Sequence, residues 1–251
     1  MAATEHLHIG VFIPQTVQLL DLSPIDLFGM LNPEYLRACQ LPEPLCALGI
    51  PSTIHYVSVP GTGTHVELTA SASLKVTKTI DDPEVQPGKL DILLCPGPDP
   101  AAIFEEPTLK FLRGHASWKG KDGKTVDILS VCTGAILLGQ SGILKGKKAS
   151  GPRAIVPKLR KSFPDVEWID NKRWVHDGNV WTSGGITNGQ EMVAFYIREK
   201  FPGPMAEAVI AMADVGDKGI DYSKSRTSET FFWLWQILKA VWMGARKAKR
   251  S

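Results

Sequence analysis

The sequence predicts an α/β fold in a single domain, with a mostly parallel sheet covered by helices on both faces. Apolar runs of strand length, such as residues 7–13, 90–95 and 126–131, alternate with segments in which apolar residues recur at helical spacing. No internal repeat and no change of composition marks a second domain before Asp214. We therefore expect the domain to span residues 1–213 and a separate C-terminal segment to follow at 214–251.

The first half of the chain is predicted to contain three long strands and a short hairpin. The strands are residues 7–13, 52–59 and 90–95, and the hairpin follows the glycine-rich turn at 61–64. One helix should begin with Ser23 as N-cap and Pro24 as its first residue, and another should span 107–119. Prolines interrupt residues 32–51, which we expect to form a surface excursion with a short helix.

The second half is predicted to continue the same alternation with shorter elements. Strands are expected at 148–149, 166–169, 173–176 and 180–183, the last two joined by a turn at 177–179. A basic amphipathic helix is expected at 152–163. Thr187 or Asn188 should cap a helix that runs to residue 201, and a further helix should cover 205–215.

Residues 125–151 are the segment around which the chain is organised, because a buried strand turns into a helix there at Cys132. A cysteine at that place meets the unpaired N–H groups and the positive dipole end of the helix, which favour a nucleophilic thiolate. Gly134 permits the tight turn. The alternative is that Cys132 is a small buried hydrophobic residue, but the strand–Cys–Thr–Gly–helix context favours a functional thiol.

Two aspartates follow the first strand. Asp21 lies in the loop at the carboxyl end of that strand, the edge at which ligand sites gather in an open α/β sheet. Asp26 lies in the first turn of the next helix, where a carboxylate stabilises the helix dipole. We interpret Asp26 as structural and Asp21 as the candidate acid/base.

Composition and charge exclude several classes of function. The formal net charge is +2, and four basic residues lie in the last six positions, so the rest of the chain is slightly acidic and nucleic-acid binding is not expected. The four cysteines show no metal-binding spacing. The first ten residues do not have the pattern of a secretory signal, so we expect reduced thiols and a cytoplasmic location.

The C-terminal segment is predicted to be a polar linker, 214–228, and a tryptophan-rich helix, 229–243, followed by a basic tail. The helix is apolar almost all round, so it must be covered by something. It is expected to pack on its own domain or across a homodimer. The alternative is contact with the surface of an anionic membrane, which tryptophans and a basic tail suit.

Four motifs make the chain resemble the DJ-1/PfpI superfamily. They are LLDLSPIDLFG (19–29), DILLCPG (91–97), SVCTGAILLGQSGILKGKKA (130–149) and RWVHDGNVWTSGGITNG (173–189). They occur in the family's order, and within the family they are most similar to isocyanide hydratases and their fungal relatives. The resemblance implies a class I glutamine amidotransferase-like, flavodoxin-like three-layer sandwich with a nucleophile elbow, assembled as a homodimer.

The resemblance also implies a cofactor-free enzyme for a small-molecule substrate, with Cys132 as nucleophile and Asp21 as acid/base. For an isocyanide, the thiolate would add to the terminal carbon, Asp21 would deliver a proton, and water would convert the thioimidate into an N-substituted formamide. Asp21 should then have a pKa raised towards neutral pH. The substrate-binding residues implied by position are Leu20, Gly97, Thr133, Gly134, Ser183, Gly184 and Gly185.

Three departures from the family pattern bear on the reaction. Pro98 stands where a glycine N–H usually donates to an oxyanion, which argues against glyoxalase-like carbonyl chemistry more than against isocyanide addition. Residues 150–153 read Ser-Gly-Pro-Arg where the family usually has Thr-Thr and then His or Asn. No histidine follows Cys132 directly, so peptidase activity is not expected. The tryptophan-rich C-terminal segment has no counterpart in the family.

Two other functions remain open from the sequence. The same thiol could serve a different specialised metabolite, which a substrate-sized pocket bounded by Pro98 and Arg153 would favour over a small closed apolar cavity. A non-enzymatic redox-sensing or ligand-binding module needs only an exposed cysteine of low pKa. His176 is interpreted as a surface strand residue rather than a base.

Overall fold

The computed structural model describes residues 6–223 and 225–248, and shows strands alternating with helices along most of this length. The strands are β1 (Leu7–Phe12), β2 (Ser52–Ser58), β3 (His65–Glu67), β4 (Ser73–Lys75), β5 (Lys78–Thr79), β6 (Ile92–Cys95), β7 (Asp127–Ser130), β8 (Lys148–Ala149), β9 (Glu167–Trp168), β10 (Trp174–Asp177) and β11 (Val180–Ser183). The α-helices are α1 (Pro24–Gly29), α2 (Pro33–Ala38), α3 (Glu43–Cys46), α4 (Glu106–Ser117), α5 (Gly134–Ser141), α6 (Val156–Ser162), α7 (Thr187–Lys200), α8 (Pro204–Ala213) and α9 (Arg226–Ala248).

Seven strands form the central sheet in the order β10-β11-β7-β6-β1-β2-β5. Every pairing in it is parallel except the β10–β11 hairpin, whose turn contains Gly178 with a φ of 63°. The chain leaves β1 towards β2 on one side and later returns to β6 on the other. The crevice beyond the carboxyl ends of β1 and β6 is therefore a topological switch point, where ligands bind in such sheets.

Two apolar clusters cover the two faces of the sheet and make the fold a three-layer sandwich. One cluster joins the sheet to α1, α2, α7 and α8, and includes Phe28, Leu36 and Ile197. The other joins it to α4, α5 and α6, and includes Leu112 and Leu137. Because helices cover both faces, the central strands β6 and β7 are buried along their whole length, which explains their almost continuous apolar sequences.

The structure confirms the predicted fold class and most of the predicted elements, and most of their ends shift by no more than three residues. The exception is α9, which was expected to end at 243 and ends at Ala248. Residues 32–51 contain two short helices, α2 and α3, rather than one. The helix expected at 152–163 starts with a 3-10 turn at Arg153–Ile155. The expected caps at Thr187 and Asn188 are wrong, because α7 begins after Ile186 with no side-chain cap. The division of the chain at residue 213 stays a prediction.

The segment after α8 is attached to the domain, not a loose linker. Arg173 donates its backbone N–H to the carbonyl of Ile220 across 2.7 Å, and Tyr222 donates to Asn171 across 3.2 Å. Helix α9 follows. Its large apolar side chains from Phe231 to Leu238 are about half exposed or more, while Glu229 at its start pairs with Arg153 of the domain. What covers the rest of α9 stays a prediction. Lys249 and Arg250 lie outside the described residues.

No helix within the described part of the chain is long and apolar enough to cross a membrane.

Candidate active site

The candidate nucleophile lies on a strained turn between β7 and α5. Cys132 has a φ of 57°, in the left-handed region that non-glycine residues rarely adopt. Its backbone N–H donates to the carbonyl of Gly184 across 3.0 Å, and the carbonyl of Val131 accepts the N–H of Gly134 across 2.9 Å. A Cβ on Gly134 would overlap the carbonyl oxygen of Cys95, so only glycine fits there. This is the nucleophile elbow that the sequence predicts.

Asp21 lies beside this cysteine, with its carboxylate within hydrogen-bonding reach of the Cys132 thiol. The residue belongs to a 3-10 turn, Leu19–Leu22, not to an irregular loop as expected, and it is fully buried. Its Oδ2 accepts the backbone N–H of Gly97 across 3.2 Å, whereas Oδ1 accepts no hydrogen bond from the described residues. Burial therefore raises the pKa of Asp21 to about 6, even though the bonds from Gly97 and Cys132 favour the ionised form.

The protonation of Cys132 differs from the sequence prediction. Burial of the thiol and then the negative charge of Asp21 raise its pKa to about 11, although the backbone N–H groups of Thr133 and Ile186 donate to the sulfur. The helix N-terminus lowers the pKa of Cys132 as expected, but desolvation and the neighbouring carboxylate outweigh it. At neutral pH the pair therefore rests as a thiol beside an ionised carboxylate.

Gly97 and Thr133 close the site on the β6 side. Thr133 donates its hydroxyl to the carbonyl of Pro98 across 2.6 Å. A Cβ on Gly97 would overlap Oδ2 of Asp21 and lie 2.5 Å from Oγ1 of Thr133, so a side chain there would displace both groups. The absence of an N–H on Pro98 leaves the N–H groups of Thr133 and Ile186 as the backbone donors at the sulfur.

The loop after β11 forms the other wall. Ser183 is buried and donates its hydroxyl to the carbonyl of Ser130 across 3.1 Å, so its hydroxyl supports the end of β7. Gly184 holds the elbow through its carbonyl, and its own N–H donates to the carbonyl of Arg173 across 2.8 Å. A Cβ on Gly185 would point into open space. Leu20 is 55% exposed on the turn that carries Asp21.

The structure thus brings Asp21, Gly97, Thr133, Gly134 and Gly184 around Cys132. Of the other expected residues, Gly185 follows Gly184 in the same loop, Ser183 bonds to Ser130, and Leu20 is exposed beside Asp21 in the chain. Sequence reasoning missed the role of the Ile186 N–H, which depends on the unusual backbone of that residue (φ 7°, ψ −77°). No sequence signal would have found it. His176 is an exposed strand residue stacked on Trp181, with ring centroids 4.4 Å apart, as predicted.

Two adjoining grooves open between the domain and α9. One, of about 420 Å³, is lined by Arg153, Arg173, Tyr222, Ser223, Ser228, Glu229, Phe232 and Trp233. The other, of about 270 Å³, is lined by Arg153, Ala154, Glu229, Thr230, Trp233, Leu234 and Ile237. Arg153 therefore bounds a substrate-sized space, but Pro98 lines neither groove. Among the described residues, no three His, Cys, Asp or Glu side chains are grouped so that they could hold a metal ion.

Fold and elbow together define a class of α/β proteins with a cysteine at the strand–helix turn and a carboxylate beside it. A sequence profile of the DJ-1/PfpI family matches residues 34–199, which is more than half of the chain. The chain belongs to the DJ-1/PfpI family.

Among curated proteins, the chain is similar to an isonitrile hydratase from Pseudomonas putida, with 36% identity over 129 residues. The matched region is 49% of this chain and 50% of that protein, so the chain spans about half the length of this relative. Isonitrile is another word for isocyanide, the compound class indicated by the sequence motifs.

Solved structures of the family share the fold. A ThiJ/PfpI family protein from Pseudomonas syringae superposes with a TM-score of 0.67 and 20% identity, covering 95% of this chain and 87% of that one. DJ-1beta from Drosophila melanogaster superposes with a TM-score of 0.62 and 17% identity, covering 84% of this chain and 99% of that one. At these identities the superpositions show the fold alone.

Proposed function

We propose that the protein is a cysteine-dependent hydratase that converts an isocyanide into an N-substituted formamide. The observation that carries this proposal is the buried Asp21 carboxylate, with a pKa of about 6, beside the Cys132 thiol. Such a pair can remove a proton from the thiol and return it to a substrate carbon. Similarity to an isonitrile hydratase over half the chain supports the substrate class.

In the first step Asp21 acts as a base. It takes the thiol proton while Sγ of Cys132 bonds to the terminal carbon of the isocyanide, and the protonated acid then delivers that proton to the same carbon. The product is a thioimidate, in which S–H has been added across the isocyanide carbon. The N–H groups of Thr133 and Ile186 favour the thiolate as it forms.

In the second step Asp21 activates water. It removes a proton from water as the oxygen attacks the thioimidate carbon, and it protonates the nitrogen. Collapse of the tetrahedral adduct forms the C=O bond and breaks the C–S bond, and the hydroxyl proton of the adduct passes through Asp21 to the leaving sulfur, so that the formamide and the Cys132 thiol are released. Water and isocyanide are consumed in equal amounts, and each proton that Asp21 takes is returned.

Two alternatives find less support at this site. A redox sensor needs an accessible thiol of low pKa, whereas burial and Asp21 raise the pKa of Cys132 to about 11. Glyoxalase-like chemistry needs an oxyanion donor at position 98, and Pro98 supplies none. Another metabolite with an electrophilic carbon remains compatible with the pair.

The test is incubation of the purified protein with an aryl isocyanide in H₂¹⁸O, with mass spectrometry of the formamide. We expect one ¹⁸O per formamide from the wild type, none from the Cys132→Ser variant above the uncatalysed rate, and wild-type turnover from Cys39→Ser. Cys39 is a suitable control because it is an exposed free thiol on α2's C-terminal cap. Equal rates in wild type and Cys132→Ser would contradict the proposal.

We further propose that α9 pairs with α9 of a second copy in a homodimer. Phe231, Trp235 and Leu238 follow one another at helical spacing and are 66%, 57% and 63% exposed. The opposite side of the helix faces Arg153 across the groove described above. An exposed apolar stripe of this kind needs a partner.

The oligomeric state measured by light scattering tests this arrangement, and a Trp235→Glu/Leu238→Glu variant should be monomeric while the wild type is dimeric. Flotation with anionic vesicles separates the competing explanation: recovery of a monomeric wild type with the vesicles would overturn the dimer and favour membrane contact.

A further inference from the structure

We propose that the groove lined by Arg153, Arg173, Tyr222 and the start of α9, here called the arginine groove, binds a carboxylate carried by an aromatic or apolar substrate. The inference rests on the proposed function, because it assigns the substrate of Cys132 to a class: isocyanides with an acidic group on an apolar body.

Two guanidinium groups converge on one ring in this groove. Cζ of Arg153 lies 4.3 Å from the centroid of the Tyr222 ring, and Cζ of Arg173 lies 5.0 Å from it. The side chain of Arg153 is only 8% exposed. A tyrosine ring attracts cations, and it holds these two arginines in fixed positions near each other.

Arg153 and Arg173 differ in how their guanidinium groups are held. Nη1 of Arg153 pairs with Oε2 of Glu229 across 2.9 Å. Arg173 has only a long bond of 3.5 Å from Nη1 to the side-chain oxygen of Asn188, and its buried Nε has no hydrogen-bond partner among the described residues. Arg173 itself lines the groove, so a ligand carboxylate there would pair with its guanidinium charge.

The opposite wall of the groove suits the rest of such a ligand. Phe232 and Trp233 of α9 line it, and the second groove continues from Arg153 and Trp233 along Leu234 and Ile237. A space of about 420 Å³ with aromatic walls and a few fixed polar groups is typical of small-molecule sites. The chemistry of both walls therefore favours an aromatic or long apolar acid over a simple inorganic anion.

The arginine groove is joined to the elbow through a short chain of contacts. The hydroxyl of Tyr222 accepts the side-chain N–H of Asn188 across 2.7 Å and lies 2.5 Å from where a Cβ on Gly184 would be. The carbonyl of Gly184 in turn accepts the backbone N–H of Cys132. The backbone of Gly184 therefore lies between Tyr222 of the arginine groove and Cys132 of the elbow.

The experiment compares 4-isocyanobenzoate with its methyl ester. We expect wild-type kcat/KM to be at least tenfold higher for the acid, mainly through a lower KM, since a bidentate arginine–carboxylate contact is lost in the ester. Arg173→Gln should reduce the ratio of kcat/KM for the acid to kcat/KM for the ester to near 1. Ser223→Asp, which adds a negative charge at an exposed lining position, should reduce it without removing an arginine.

The matched control is Arg37→Gln, which removes a guanidinium paired with Glu43 on the surface of α2 and should keep the wild-type ratio. A second measurement does not depend on turnover: titration of the Cys132→Ser protein with 4-formamidobenzoate and 4-formamidobenzamide by calorimetry. Tight binding of the acid alone supports the groove even if neither isocyanide reacts, and in that case only the hydratase proposal fails. If both isocyanides are turned over at equal kcat/KM and the acid and the amide bind equally, the proposal for the arginine groove is wrong. The proposed hydratase function is then unaffected.

Discussion

The backbone N–H of Gly97 donates to Oδ2 of Asp21 across 3.2 Å, and the two residues are so close that a Cβ on Gly97 would overlap that oxygen. The contact connects the loops after β6 and β1 at the switch point of the sheet. It supplies the only backbone N–H that the described residues donate to a carboxylate which burial otherwise makes harder to ionise. Gly97 therefore positions Asp21, the proposed acid/base, and its hydrogen bond favours the ionised carboxylate.

We predict that Gly97→Ala lowers kcat/KM for isocyanide hydration on the order of 10²-fold. The added Cβ would displace Oδ2 of Asp21 and Oγ1 of Thr133, and a shift of about 1 Å in a catalytic group can cost that much. The control is Gly29→Ala in α1, where a Cβ meets no atom within 4 Å. Steady-state kinetics of both variants test the prediction, and equal losses in the two would contradict it.

The raised pKa of Asp21 also predicts how stability changes with pH. The folded protein holds the proton of the Asp21 carboxyl up to about pH 6, whereas the unfolded chain releases it near the ordinary aspartate pKa of 3.8. The contribution of Asp21 to stability is therefore fully present below pH 3.8 and is lost as pH rises through 6. Above that window the buried charge costs the folded state on the order of 3 kcal/mol.

Asp21→Asn carries no titrating proton, so its free energy of unfolding should rise relative to wild type between pH 3.8 and 6 and then stay level. We expect a relative gain on the order of 3 kcal/mol by pH 7, together with a loss of several orders of magnitude in turnover. Urea unfolding of both proteins across this pH range measures the effect. A difference that does not change with pH would show that Asp21 has an ordinary pKa in the folded protein.

The coupling between Asp21 and Cys132 predicts faster alkylation of Cys132 in the Asp21→Asn variant. The carboxylate raises the pKa of the thiol through its charge and its hydrogen bond, so its removal should lower that pKa. With Cys39 replaced by serine in both proteins to remove the exposed thiol, iodoacetamide at pH 7.5 should modify Cys132 about tenfold faster in the variant, the effect of one pKa unit. Equal alkylation rates in the proteins with aspartate and with asparagine at position 21 would rule the coupling out.

The elements that the sequence predicted well are those governed by local pattern. Buried parallel strands such as β6 and β7 have continuous apolar sequences, and the turn at Cys132 has a glycine where only glycine fits. The fold class and the neighbourhood of Cys132 and Asp21 could be predicted because the loops after parallel strands meet at one edge of the sheet. The family motifs then predicted that Cys132 and Asp21 both lie at that edge.

The features that the sequence could not give depend on three-dimensional neighbours. The pKa of Cys132 is raised because burial and Asp21 outweigh the helix N-terminus, and sequence position reveals only the last of these. The β10–β11 hairpin and the helices α7 and α8 separate Arg173 from Tyr222 in the chain, and no motif contains both residues. The exposure of α9 could not be predicted either. An apolar helix pattern predicts that another surface covers the helix, but it does not identify that surface.

The strained backbone at Cys132 predicts an unusual order of stability among inactive variants. With a φ of 57°, an alanine at this position keeps the steric cost of the left-handed conformation, whereas a glycine relieves it. We expect Cys132→Gly to be more stable than Cys132→Ala by about 1 kcal/mol in urea unfolding, although glycine is ordinarily the less stable of the two by about 0.5–1 kcal/mol. Thr187 in the first turn of α7, at an ordinary helical position, serves as the comparison: there the alanine variant should be more stable than the glycine variant. If Cys132→Ala were also more stable than Cys132→Gly, the backbone at position 132 would be unstrained.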